Sequence, residues 1–246
     1  MITGSIGLFA GVLNFMMMLL IAYAVQIGPS GLTFAFQNSA SMVPAFFLFF
    51  LFGASFGFHL QWPLIIGFIF LTAGIFLSLI QEKNSASFLT SASHFGKWLL
   101  VAVAIFLIQG LILSIFQWRS LLLQFPKSHV LIPWACSIQE DMWFMPGFFL
   151  VPALVQSVRF YLSERRWFYY KEIFLGIIAG LLNGGATFCL LMATRDPGLK
   201  FRPVLFPLFA VTVILLCNLW GKKFYQERLD WRGVVLCLAG VLISSL

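Results

Sequence analysis

Eighty-one residues precede the first Asp, Glu, Lys or Arg of the chain, which is Glu82. A soluble fold encloses its apolar core in charged surface, and this stretch has no charge to offer. Over all 246 residues the pattern persists, with 61% hydrophobic, 9% charged and a mean hydropathy of +0.98. Lipid is the solvent such a chain suits. A membrane-crossing β-barrel requires strands that alternate apolar and polar residues. The run from Ala45 to Phe52 is apolar at every position, so the fold expected is all-α, a polytopic bundle of membrane helices.

Apolar runs fall at 5–25, 32–52, 62–80, 97–117, 142–162, 173–193, 203–220 and 231–246, which predicts about eight crossings of roughly 20 residues each. The last is short and calls for local thinning or tilt. Residues 81–96 form a polar, Ser-rich connector between 1–80, with three runs, and 97–246, with five. The formal charge of +7 arises from 15 basic and 8 acidic residues. The basic ones cluster between apolar runs, as the positive-inside rule expects, and this argues against nucleic acid as a partner. Assigned to alternate sides, Lys83, Lys97, Arg159, Arg165, Arg166, Lys171, Lys222, Lys223, Arg228 and Arg232 share one face. Arg119, Lys127, Arg195, Lys200 and Arg202 share the other. The richer face is expected in the cytoplasm, with both chain ends outside.

None of Cys136, Cys189, Cys217 and Cys237 forms a CxxC pair, so neither a disulfide framework nor a metal site is expected. No phosphate-binding GxxxxGK[ST] loop occurs, and no cofactor is expected.

An internal repeat narrows the function. Ile6–Asn14 reads IGLFAGVLN and Leu175–Asn183 reads LGIIAGLLN. Pro44 then corresponds in order to Pro207, Trp62 to Trp231, Gly67 to Gly233, and Ala73-Gly74 to Ala239-Gly240. By the run count the two copies begin on opposite sides of the membrane. Inverted repeats of this kind mark secondary transporters, which open a central cavity to alternate sides.

The segment Phe206-Pro207 through Gly221, then Tyr225-Gln226-Glu227-Arg228-Leu229, Trp231-Arg232-Gly233 and Ala239-Gly240-Val241-Leu242, resembles the close of an EamA-type repeat of the drug/metabolite transporter superfamily. Gly28-Pro29 through Gly74 resembles the same part of the first repeat, with Gly57-Phe58-His59-Leu60 in place of the Glu-Arg-Leu turn. The resemblance implies five spans per repeat, so that the first copy shows only its third to fifth and two N-terminal spans are expected to be missing. It also implies a cytoplasmic C-terminus, opposite to the charge count. Substrates in such a family include amino acids, sugars and nucleotide-linked metabolites. Asn218-Leu219-Trp220-Gly221 is similar to rhamnose-type sugar permeases.

All eight acidic residues sit at run ends or in connectors, which argues for exchange or facilitated movement over proton coupling. Polar residues inside the runs are the substrate-binding candidates: Asn14, Tyr23, Asn38, Gln109, Gln156, Arg159, Asn183 and Asn218, with Gln37, Gln117 and Thr187 beside them. The competing reading is interhelical hydrogen bonding. Asn14 and Asn183 stand out, since repeat-related positions converge on the axis where carriers bind. Arg159 either neutralises an anionic substrate or snorkels to headgroups beside Arg165 and Arg166. Pro44, Pro152 and Pro207 lie within runs and are the hinge or gate candidates, each removing a helix hydrogen bond. Gly7 and Gly11, and Gly176, Gly180 and Gly184, form small-residue faces for close helix packing.

The expected function is movement of a small polar metabolite across the cytoplasmic (inner) membrane, without enzymatic chemistry. Membrane lipid is the other partner and a homodimer the candidate assembly. One rival is a non-transporting membrane subunit. Another is an intramembrane serine protease, because Gly28-Pro29-Ser30-Gly31 matches a GxSG string. Its histidine base is missing from the runs, since His59, His94 and His129 all lie in connectors.

Overall fold

A computed structural model describes residues 2–52, 62–84, 92–122, 142–195, 209, 212–213, 215–216, 219–220, 222–223 and 231–243. Among these the only regular structure is helical: α1 (Ile2–Ile27), α2 (Ser30–Ser39), α3 (Val43–Phe52), α4 (Trp62–Asn84), α5 (Ala92–Leu122), α6 (Phe144–Glu164), α7 (Tyr170–Arg195) and α8 (Trp231–Ile243). Among the described residues four segments are long and apolar enough to cross a membrane, namely Thr3–Ile27, Phe95–Arg119, Phe144–Glu164 and Tyr170–Met192. Trp62–Gly74 and Trp231–Ile243 are shorter apolar helices. These are the features of an all-α membrane protein.

The run expected over 32–52 is not one helix. A 3-10 turn, Ala40–Met42, separates α2 from α3. Pro44 is the cause, because it has no N–H to give the carbonyl of Ala40 four residues back. The Val43 N–H donates to that carbonyl instead, in the tighter i to i−3 pattern.

Contacts divide the chain into two compact units, one of residues 1–15 and 115–199, the other of 16–114 and 200–246. Each unit therefore draws on both copies of the sequence repeat, and the division cuts across the 1–80 and 97–246 partition.

In the first unit, Thr3, Gly7, Ala10, Gly11 and Asn14 are buried along one stripe of α1. The stripe packs on α6 with no side chain between the backbones. A Cβ on Gly7 would collide with the Phe144 carbonyl, and one on Gly11 would lie 2.8 Å from the Phe148 carbonyl oxygen. On α6, a Cβ on Gly147 would come within 2.9 Å of the Gly4 carbonyl oxygen. This is the close approach that small residues exist to permit in lipid, where dispersion replaces the hydrophobic effect as the glue. Pro152, buried within α6, leaves the Phe148 carbonyl without its helical donor, and that carbonyl is the one lying against Gly11. Phe116 of α5 meets Phe144 and Phe148 edge-on at 5.5 and 5.3 Å. The buried Arg119 guanidinium sits 4.8 Å above the Phe144 ring.

The second unit contains another glycine-lined contact, between α4 and α8. A Cβ on Gly74 would lie 2.8 Å from the Gly233 carbonyl oxygen, and one on Gly240 would lie 2.6 Å from the Gly67 carbonyl oxygen. The pairs run in opposite chain directions, so the helices are antiparallel. They are also reciprocal in the repeat: Gly74 corresponds to Gly240, Gly67 to Gly233, and each touches the counterpart of the other's partner. Such swapped contacts define a two-fold interface. Leu71, Cys237 and Val241 fill its centre, covered by Phe36, Phe46 and Phe68.

Candidate functional site

The segment from Ser30 to Phe52 reverses the pattern of a water-soluble amphipathic helix. The buried residues of α2 are Ser30, Gly31, Thr33, Asn38 and Ser39, all of them small or polar. In lipid, polar groups turn inward because hydrocarbon cannot satisfy them. Most find local partners. The Thr33 hydroxyl donates to the Pro29 carbonyl at 2.9 Å and accepts the indole N–H of Trp98 at 3.0 Å. Asn38 Nδ2 donates to the Phe34 carbonyl at 2.8 Å, and Ser39 Oγ to the Phe36 carbonyl at 2.7 Å. Gln37 Nε2 reaches only the Met17 sulfur, at 3.9 Å.

Trp98 fixes one end of this segment. It is fully buried, edge-on to Phe36 at 6.0 Å and beside Phe95 at 5.9 Å. Gly28 makes room for it, since a Cβ there would overlap the indole. At the other end Gly110 of α5 accommodates Val43, whose Cγ1 would stand 2.9 Å from an added Cβ. The Ser114 hydroxyl turns back to the Gly110 carbonyl at 2.7 Å.

Between these fixed ends lies the 3-10 turn, and in it Ser41. Its side chain is 7% exposed and its Oγ has no hydrogen-bond partner among the described residues. Asn38, one turn earlier, commits its amide N–H and leaves its side-chain oxygen without a described donor. A buried hydroxyl left unpaired costs roughly 1–3 kcal/mol. A broken helix carrying unpaired polar groups beside a proline can bind a neutral polar ligand by hydrogen bonds, with free backbone at the break supplying more.

The other sequence candidates are dispersed. Asn14 is buried on the packed stripe of α1 and makes no hydrogen bond among the described residues, whereas Asn183 is exposed on α7, its carbonyl accepting from Thr187 at 2.9 Å. Tyr23 and Arg159 are exposed, and Gln109, Gln117 and Gln156 half-buried. Pro44 and Pro152 are buried within helical segments. Asn218 and Pro207 lie outside the described residues, as do Cys136 and Cys217. Ser30 of the GxSG string opens α2 and is buried. No group of three or more His, Cys, Asp or Glu placed to hold a metal occurs among the described residues.

Thr33 and Trp98 are not singled out by the sequence. Ser41 is, because it belongs to Asn38-Ser39-Ala40-Ser41, the polar segment ahead of Pro44 that can satisfy or exploit the break. The bond between Trp98 and Thr33 joins residues 65 apart, and nothing local announces it. No protein-family model, curated protein or solved structure matches the chain.

Proposed function

We infer that the chain is a secondary carrier of the drug/metabolite transporter type, moving a small polar metabolite across the membrane by alternating access. The observation that carries this reading is the reciprocal contact of α4 and α8. Repeat-matched glycines pair across an antiparallel helix contact, as an inverted repeat closed about a two-fold axis requires. A symmetric exchange of roles between two halves serves a protein that opens to alternate sides, and an anchor has no use for it. The broken segment at Ala40–Met42 supports the reading further, because carriers bind where a membrane helix is interrupted. The scarcity of charge within the apolar helices favours a neutral or zwitterionic substrate and an exchange or facilitated mode.

Ser41→Ala is the decisive variant. Its hydroxyl has no hydrogen-bond partner among the described residues, so the substitution is expected to leave the fold as stable as before or more so. Reconstituted into liposomes and assayed against a panel of amino acids, sugars and nucleotide-type metabolites, the natural chain is expected to accumulate or exchange one class. Ser41→Ala is expected to lower that rate about tenfold, the worth of one hydrogen bond to substrate. Absence of transport for every class, or a Ser41→Ala rate equal to the parent, rejects the assignment.

One observation favours a second reading, a non-transporting membrane subunit. No residue of α7 from Tyr170 to Cys189 is buried, an unusual amount of bare helix for a carrier working alone.

A further inference from the structure

The end of α6, the turn after it and the start of α7 form a hairpin whose charges are sorted in an unequal way. Arg159, Arg165, Arg166 and Lys171 face only two acids, Glu164 and Glu172. Arg166 takes both. Its guanidinium makes a bidentate pair with Glu172, at 2.9 and 2.8 Å, and lies 3.7 Å from Glu164. Rings enclose it as well, with Tyr169 at 4.3 Å and Phe160 at 4.9 Å. The hydrogen bonds it donates to Glu172 raise the Arg166 pKa above its already high value, so the guanidinium stays charged at every accessible pH. Glu172 is used up in turn, accepting the Tyr169 N–H at 2.8 Å as a helix cap.

Arg159, Arg165 and Lys171 are left exposed, with no ion pair to an acid among the described residues. Arg165 closes α6 in a left-handed conformation, φ 52°, with its N–H bonded to the Tyr161 carbonyl. Glycine or asparagine takes that position at least cost, so the arginine side chain is held there against backbone preference. The same hairpin displays Trp167, Tyr169 and Tyr170 at 78%, 64% and 82% exposure. Phe160 stacks on Phe168 at 4.4 Å, Tyr161 leans on Trp167 at 5.4 Å and the Arg166 guanidinium lies over Tyr169, so contacts brace the turn and two of the three exposed rings. Exposed Trp and Tyr at the ends of two apolar helices belong to the headgroup layer. Arg159, five residues before the end of α6, reaches that layer by extending its side chain.

We propose that this hairpin is a binding site for anionic phospholipid headgroups, with Arg159, Arg165 and Lys171 holding lipid phosphates and Trp167, Tyr169 and Tyr170 seated among the glycerol groups. Arg166 is the internal clamp that keeps the turn in shape. Charge complementarity selects the occupant: three unpaired cations at the membrane surface attract an anionic leaflet, each worth about fivefold in affinity. The inference rests on the membrane assignment alone and stands whether or not the chain transports anything.

The test purifies the full chain from equimolar phosphatidylcholine and phosphatidylglycerol and counts retained lipids by native mass spectrometry. The natural protein is expected to retain phosphatidylglycerol severalfold in excess, the excess falling as salt rises. The variant Arg159→Gln/Arg165→Gln/Lys171→Gln is expected to lose the excess. Lys97→Gln/Lys222→Gln/Lys223→Gln, which removes the same charge elsewhere, is expected to keep it. Unpaired exposed side chains are replaced in the hairpin variant, and an unchanged unfolding temperature in detergent confirms its fold. No initial excess, or equal loss in the two variants, overturns the site, as does displacement of the lipid by soluble glycerol phosphate. A variant that unfolds is replaced by Arg165→Gly, which suits the left-handed backbone and is expected to lower the excess about fivefold, an unchanged excess again overturning the site.

Discussion

The nine-residue motif shared by α1 and α7 meets two different fates in one unit of the molecule. In α1 the glycines at 7 and 11 bring the helix backbone against α6, and Asn14 at the end of the motif is buried. In α7 the matching glycines at 176 and 180, with Gly184 and Gly185, have no described atom within 4 Å of an added Cβ, and Asn183 is exposed. The same letters thus give a seam in one place and a bare face in the other. A small-residue motif confers the capacity for close approach, and the partner confers the contact. For α1 the partner is α6, whose own Gly147 makes the approach mutual.

The packed copy is most sensitive at Gly7. A Leu there is driven into the Phe144 carbonyl, a backbone atom that cannot rotate away as a side chain could. Gly7→Leu is expected to cost about 3 kcal/mol, the upper end for overpacking, and to lower the unfolding temperature in detergent by several degrees or prevent recovery of folded protein. Gly240→Leu, facing the Gly67 carbonyl oxygen and the Leu71 nitrogen, each at 2.6 Å from the new Cβ, is expected to behave alike. Unfolding temperatures equal to the parent would show that these helices separate freely, and the packed half of the comparison would be lost.

How far the fold was legible follows from the same physics. Lipid forces helices and sets their length, so the apolar runs at 5–25, 62–80, 97–117, 142–162 and 173–193 each coincide with a helix. The break between α2 and α3 was marked by Pro44, though a run of unbroken hydrophobicity concealed that two helices replace one. Close packing at Gly7 and Gly11 was legible because glycine has few other uses inside a membrane helix. That Gly176 and Gly180 would stay bare was not, since a motif does not name its partner. The site was harder still. Asn38 was marked by polarity and Ser41 by its place ahead of Pro44, but Thr33 is an unremarkable letter until another helix brings Trp98 to it. Arg166 looked like one more headgroup cation, and only the geometry of Glu172 removes it from that role.

Asn14 and Asn183, which end the two copies of the motif, differ on a smaller scale. Asn14 is 8% exposed, and its side chain makes no hydrogen bond among the described residues. Asn14→Leu replaces an amide that has no partner among the described residues by an apolar side chain of similar volume, and is expected to stabilise the protein by about 1 kcal/mol. Asn183→Leu, on an exposed face, is expected to change stability by less than about 0.5 kcal/mol. A loss on Asn14→Leu would mean that the amide is satisfied after all, and its value as a ligand-binding group would fall with that result. If the gain appears together with a drop in transport, Asn14 joins Ser41 as a polar group retained for a ligand at the expense of stability.

The smallest effect is expected at Gly180, and it bears on the bare half of the comparison. A Leu at this position meets only lipid, which accepts another apolar side chain without strain. It also replaces glycine by a better helix former, a gain of under about 1 kcal/mol. Gly180→Leu should therefore leave the unfolding temperature unchanged or slightly raised, the opposite of what is expected of a Leu at its counterpart Gly11 or at Gly7 in the packed copy of the motif. Purification of both variants without dissociating detergent adds the discriminating measurement. If Gly180→Leu leaves the apparent mass as well as the stability untouched, α7 faces lipid in the assembled protein, and the asymmetry between the two copies is a property of the single chain. If the substitution instead splits a larger assembly into monomers that remain folded, another helix covers this face in the membrane. The two motifs would then be packed alike, one within the chain and one between chains, and the subunit reading would gain over that of a carrier acting alone.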